Sequence, residues 1–205
     1  MPTLDLPPDP VADALPATGP LVIVDLEWTA WEGSHARGWS EPWEWREVIN
    51  IGAVRVDAGA GFRETDAFDT LVLPVRNPVL SPYITRLTGI TNDRLAAEAI
   101  PFSKAMHRFA AFCADGAPVV MNGYDGLILR ENCALAGIPE PPVLRRTVNL
   151  RPLLARVLGC EASLVVSALL PDLLGIAGPP HRHAGIWDAR AIAAALTELR
   201  HRGLV

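Results

Sequence analysis

The chain has 205 residues, half of them hydrophobic and a fifth charged, with a formal net charge of −5. That composition suits one domain around one core and excludes a disordered chain. The acid excess excludes a basic protein that coats nucleic acid through many phosphate contacts, but a nucleic-acid substrate needs only a local basic or metal-loaded cleft.

Residues 1–19 are rich in proline, small residues and acid, and read as a flexible tail ahead of a domain spanning residues 20–205. Leu21 to Val24 is a short apolar run after Pro20, which predicts a buried strand. Trp28 to Trp45 has no period and holds five of the six tryptophans. It reads as a long loop, a feature that compact domains usually keep for function. Val48 to Val56 and Thr65 to Leu73 predict two further strands, and turn residues follow. Tyr83 to Leu87 and Asn92 to Ala99 read as short helices on either side of Thr88-Gly89-Ile90-Thr91. Phe102 to Ala114 predicts a helix, because Phe102, Met106, Phe109 and Cys113 fall on one stripe. Ala117 to Met121 is another buried strand, and Gly126 to Ala136 a helix stopped by Gly137. Thr147 to Leu150 predicts a last strand, with a helix following to Leu158. Ser167 to Ile176 and Ile186 to Arg202 close the chain as helices. Strands first, then helix alternating with strand, give an α/β fold: a mixed sheet flanked by helices.

The three cysteines, Cys113, Cys133 and Cys160, are odd in number and show no C-x-x-C spacing. Reduced thiols are expected, with neither a disulfide framework nor a zinc site. No basic start precedes an apolar run, and the least polar stretch, Ala162 to Gly178, is interrupted by Pro171 and Asp172. A cytoplasmic protein without membrane contact is the expectation.

Three segments carry chemistry. Asp25 and Glu27 sit two apart at the end of an apolar strand, so both carboxylates leave on one face. Two such charges repel unless a cation lies between them, and hard oxygen ligands suit Mg²⁺ or Mn²⁺. A strand end fraying into solvent would show the same pattern. Asp125 follows the strand Ala117 to Met121 and opens a helix, either as a cap or as a third carboxylate where open α/β sheets place ligands. His183 and Asp188 are five apart, which turns through about 500° on a helix. They converge only if His183 lies in the loop before the helix and Asp188 in its first turn, an arrangement that Pro179, Pro180 and Gly185 favour. A capping aspartate beside a surface histidine is the plainer alternative.

Together these segments resemble a known family. Asp25-Leu-Glu27-Trp-Thr29 looks like the D-x-E-x-T motif of DnaQ-like exonucleases. Val119 to Asp125 resembles their second motif, and His183-x4-Asp188 the third motif of the DEDDh branch. EVINIGAVRV, SPYITRLTGIT and LLPDLLGIAGPPHRHAGIWDARAIA are similar to Eri-type and KapD-like members. The resemblance covers about Leu21 to Leu199 and implies an RNase H-like fold. It also implies hydrolysis of phosphodiester bonds from a single-stranded 3′ end with two divalent cations, Mg²⁺ or Mn²⁺. Asp25, Glu27, Asp125 and Asp188 would be the ligands and His183 the general base. By the same resemblance, Leu26 (through its backbone), Trp28 and Thr29 would meet the terminal nucleotide, and Leu87 and Thr88 a base. The tryptophans of the 28–45 loop either stack bases or pin the loop to the core. Arg145, Arg146, Arg151 and Arg156 form the one notable basic cluster. Two alternatives stand beside the exonuclease. One is a protein-binding regulator on the same fold, as KapD-like relatives suggest. The other is a small-molecule phosphohydrolase using the same metals.

Overall fold

The structure, a computed structural model, describes residues 15–205. Its centre is a six-stranded mixed sheet. The strands are β1 (Pro20–Trp28), β2 (Val48–Asp57), β3 (Arg63–Leu73), β4 (Ile100–Pro101), β5 (Val119–Met121) and β6 (Thr147–Asn149), in the order β4-β3-β2-β1-β5-β6. β1, β2 and β3 form an antiparallel meander, whereas β5 and β6 run parallel to β1, and β4 runs parallel to β3. The helices are α1 (Ser34–Arg37), α2 (Pro82–Thr88), α3 (Asn92–Glu98), α4 (Phe102–Phe112), α5 (Asp125–Leu135), α6 (Arg151–Leu158), α7 (Leu170–Leu174) and α8 (Gly185–His201).

The alternation of β1 divides the core. Leu21 and Ile23 point into a cluster with Val54, Leu154, Leu170, Ile192 and Leu196, which seats α6, α7 and α8. Val22, Val24 and Leu26 point the other way, onto Met106, Phe109, Ile128 and Leu129 of α4 and α5. Asp25 and Glu27 continue the first series, so both carboxylates face α8. The strand does not fray at the acids. It stays paired with β2 through Trp28, with a bulge between Glu27 and Trp28, and both acids are buried.

Most predicted elements match the observed ones within a few residues, and three details differ. The 28–45 loop contains the one-turn α1, closed at each end by a left-handed glycine, Gly33 and Gly38. The predicted helix Ser167 to Ile176 divides into a 3-10 turn (Ser167–Leu169) and α7, which stops at the left-handed Gly175. The two-residue β4 is too short for any period to announce. Of the expected tail, residues 1–14 lie outside the described residues. Within the remainder, Leu15 packs on the α8-side core, the Pro16 carbonyl accepts from Arg200 Nη2 at 3.2 Å, and the Gly19 carbonyl accepts from Ala58 N–H at 2.9 Å. All three cysteines are free. Burial pushes the Cys113 thiol up to about 12 and that of Cys133 to about 11, so both are inert packing groups. Among the described residues no helix is long and apolar enough to cross a membrane.

Candidate active site

Backbone crowding between β2 and the start of α8 builds the site. Gly52, opposite Asp25 in the β1–β2 register, lies under the first turn of α8. A Cβ there would fall 2.0 Å from the Ile186 nitrogen and 2.1 Å from the Gly185 carbonyl carbon. A Cβ on Gly185 would fall 2.6 Å from Asn50 Oδ1 and 2.7 Å from the Asp25 carbonyl oxygen. Two glycines therefore let a helix N-terminus rest directly on a strand. Asn50 fixes the contact: its Oδ1 accepts the Gly185 N–H at 3.1 Å, while its Nδ2 donates to Asp69 Oδ1 at 2.7 Å and to the Thr70 carbonyl at 3.1 Å.

This contact carries Asp188, in the first turn of α8, onto the acidic face of β1. Carboxylate oxygens of Asp25, Glu27 and Asp188 lie within 4.8 Å of one another, and all three residues are buried. Asp125 is buried beside them at the start of α5. Its Oδ1 accepts the Leu26 N–H at 3.0 Å, which ties the second acidic segment to the first. Asp25, Glu27 and Asp188 thus form the compact trio, and Asp125 flanks it with one oxygen committed to the backbone.

The electrostatics mark a site that wants positive charge. Burial raises the Asp25 carboxyl well above the usual range, and Asp125, Asp188 and Glu27 raise it further, against a hydrogen bond from Ser167. Burial, then Asp188 and Asp125, do the same for Glu27. Burial takes Asp125 to about 6, opposed by backbone N–H groups and by Arg151. It takes Asp188 to about 7, opposed by the His183 N–H and Arg182. Asp188 Oδ1 is buried without a hydrogen-bond partner. Three buried carboxyls that meet, one of them with an unmatched oxygen, are a group that could hold a hard divalent cation.

His183 stands in the loop before α8, half-buried, with φ +53°. Its backbone N–H bonds the Asp188 carboxylate, which sets the His183 backbone beside that acid. Burial and Arg182 hold its imidazole below the ordinary histidine value, hence neutral near pH 7.

The residues expected to touch substrate have structural work as well. The Leu26 side chain is buried in the α4–α5 core and its N–H is taken by Asp125. Trp28 packs half-buried on the same core and near the Trp39 ring. Thr29 is buried; its hydroxyl donates to the Trp45 carbonyl and accepts the Glu47 N–H at 3.0 Å. Thr88 closes α2, donating to the Ile84 carbonyl at 2.8 Å and accepting the Ile90 N–H at 3.1 Å. Leu87 packs half-buried with Ala30, Ile49 and Ile84. The basic cluster is partly internal, since Arg146 donates to the Ala117 and Cys113 carbonyls and Arg151 to the Asn122 carbonyl.

Sequence reasoning missed Asn50, Gly52, Asn122 and Ser167. Asn122 Nδ2 donates to Ser167 Oγ at 3.2 Å, and Ser167 in turn supports Asp25. A glycine and an asparagine inside the apolar run Val48 to Val56 were the available signal, because a strand interior tolerates them chiefly where another backbone comes close. Nothing local distinguishes Ser167 from an ordinary turn serine.

Known proteins match the chain along most of its length. The exonuclease family model RNase_T matches residues 22–196. The chain is 29% identical over 196 residues to ERI1 exoribonuclease 2 of Danio rerio, covering 84% of this chain but 33% of that protein. It is 26% identical over 206 residues to the 3′-5′ exonuclease Snipper of Drosophila melanogaster, covering 89% of this chain and 70% of that one. Among solved structures, the nuclease domain of 3′hExo, a DEDDh family member bound to rAMP, superposes with a TM-score of 0.77. That match has 21% identity and covers 90% of this chain and 93% of the other. The chain thus spans about a third of the zebrafish relative. With the family model matching residues 22–196, a span that holds the buried carboxylate trio, Asp125 and His183, the chain belongs to the RNase_T exonuclease family.

Proposed function

We propose that this chain is a 3′→5′ exonuclease that removes nucleotides from single-stranded RNA or DNA, or from short oligonucleotides. The observation that carries the reading is the buried trio of Asp25, Glu27 and Asp188, with an unmatched Asp188 oxygen. Asp25, Glu27, Asp125 and Asp188 hold two divalent cations, Mg²⁺ or Mn²⁺. When bound, the cations supply a nucleophilic water at neutral pH and neutralise charge on the scissile phosphate. His183, neutral near pH 7, accepts the proton of the attacking water. Burial at the β1–α8 contact excludes bulk solvent from the carboxylates, which strengthens their hold on positive charge. Ser167 and the Leu26 N–H orient Asp25 and Asp125. Trp28, Thr29 and Leu87 with Thr88 are the proposed border for the terminal nucleotide, and Leu26 contributes to it by placing Asp125.

A direct test is digestion of 3′- and 5′-labelled single-stranded RNA and DNA with Mg²⁺, Mn²⁺ or EDTA. Stepwise loss from the 3′ end in the metal-containing reactions supports the reading. Equal attack on a 3′-blocked oligonucleotide, or internal cuts, would refute it.

A further inference from the structure

Five tryptophans lie between residues 28 and 45, and the fold treats them unequally. Trp28 and Trp39 are packed, whereas Trp43 and Trp45 remain 55% and 46% exposed. Between them Glu44 points inward, where Arg37 and Ser34 bind its carboxylate, so both flanking rings face out. A second loop is fastened alongside. Buried Glu47 accepts the N–H groups of Val75 at 2.6 Å, Arg76 at 2.8 Å and Asn77 at 2.6 Å, and Asn77 Nδ2 donates to the Trp43 carbonyl at 3.0 Å. The Arg76 guanidinium lies 5.1 Å from the centre of the Trp45 ring and forms no ion pair among the described residues. Val75 and Val79 are 76% and 72% exposed on the same loop. The buried Glu47 carboxylate thus clamps the two loops together, and the outward side carries aromatic rings and a cation without an ion pair among the described residues.

We propose that this surface is a platform for single-stranded nucleic acid a few nucleotides upstream of the 3′ end. The inference rests on the exonuclease reading of the acidic site. Three observations favour a polyanionic strand with stacking bases over a protein partner. Glu44 and Glu47, the two acids nearest Trp45 in sequence, are buried and held by hydrogen bonds. The exposed cation is stacked on a ring, the pairing that binds bases and phosphates together. The platform is also rooted at the site: Thr29, whose hydroxyl and N–H bond to the backbone of Trp45 and Glu47, lies two residues beyond Glu27, at most about 7 Å along the chain. A strand whose 3′ terminus enters the acidic pocket continues within reach of Trp45.

The experiment compares wild type, Trp43→Ala/Trp45→Ala and Arg76→Gln in Mn²⁺ on uridine and thymidine dodecamers and on the matching dinucleotides. The double variant is expected to raise KM for the dodecamers about 10-fold or more, with dinucleotide kcat/KM changed by less than about 2-fold. Arg76→Gln should raise dodecamer KM less and flatten its salt dependence. The RNA and DNA arms report whether the platform reads the sugar. If wild type cleaves dinucleotides and the double variant handles dodecamers normally, the platform is wrong while the active site stands. Equal losses on both substrate lengths also overturn it. No metal-dependent cleavage of either length by wild type would bring down the active-site reading, and this inference with it.

Discussion

His183 joins an unusual backbone conformation to a proposed role as general base. Its φ of +53° is one that L residues seldom adopt, and asparagine tolerates it better than most. His183→Asn should therefore keep the fold and the cation site while removing the base. Loss of general-base assistance is expected to lower kcat by about 10²–10⁴-fold, with cation affinity by calorimetry near wild type; unchanged kcat would remove His183 from the reaction. Asp188 is the opposite case, a carboxyl that burial, with Asp125 nearby, raises to about 7. In EDTA at pH 8, Asp188→Asn should raise Tm by roughly 2–4 °C for each kcal/mol of repulsion relieved. The same variant should lose cation-induced stabilisation and activity. A variant with a lower Tm in EDTA would contradict the placement of Asp188 among like charges.

At the scale of elements, the decisive contact is α8 on β2. Gly52→Ala places a methyl group about where the Ile186 nitrogen sits, and two backbone segments have to part. The cost should exceed the roughly 1–3 kcal/mol of ordinary overpacking. Because α8 carries Asp188, Gly52→Ala should also lower cation affinity. Ala53→Gly, on the next residue of β2, would weaken the strand without moving the helix. Thermal melts and cation titration of both variants separate the two effects. Retained affinity in a destabilised Gly52→Ala protein would show that the acids do not depend on this contact. The period of the sequence predicted both elements but not their meeting. A strand of nine residues and a helix of seventeen are set by local patterning, whereas their closest approach depends on which glycine faces which.

For the molecule as a whole, the buried acids link stability to pH and to metal. The folded-state pKa values of Asp25, Glu27, Asp125 and Asp188 are raised, the last from 3.8 to about 7. A raised carboxyl favours the protonated folded form. Its contribution is full below the unfolded value near 3.8 and is lost as pH climbs through the folded value, about 7 for Asp188. In EDTA the protein should thus be less stable at pH 8 than at pH 5. Mg²⁺ or Mn²⁺ should restore Tm mainly at the upper end, because the cations bind the ionised carboxylates. Melting curves across this range with and without metal test the sign. A metal-free protein that gains stability between pH 5 and 8 would mean the acids do not repel as described.

Much of this site was legible in the chain itself. Alternation along Leu21 to Glu27 puts two carboxylates on one face, and Pro179, Pro180 and Gly185 mark a loop that holds His183 ahead of the helix bearing Asp188. Order and spacing alone suffice for these inferences, because strand and helix periods are local properties of the backbone. The tertiary structure decided what no period encodes. It joined Asp25, Glu27 and Asp188 as the tight trio and gave one Asp125 oxygen to Leu26. It turned Thr29 and Thr88 to backbone hydrogen bonds, recruited Ser167 and Asn50, and exposed two tryptophans while packing others. Each of these outcomes follows from contacts between residues far apart in sequence, where a missing Cβ at Gly52 or a buried carboxylate at Glu47 sets which surfaces can meet.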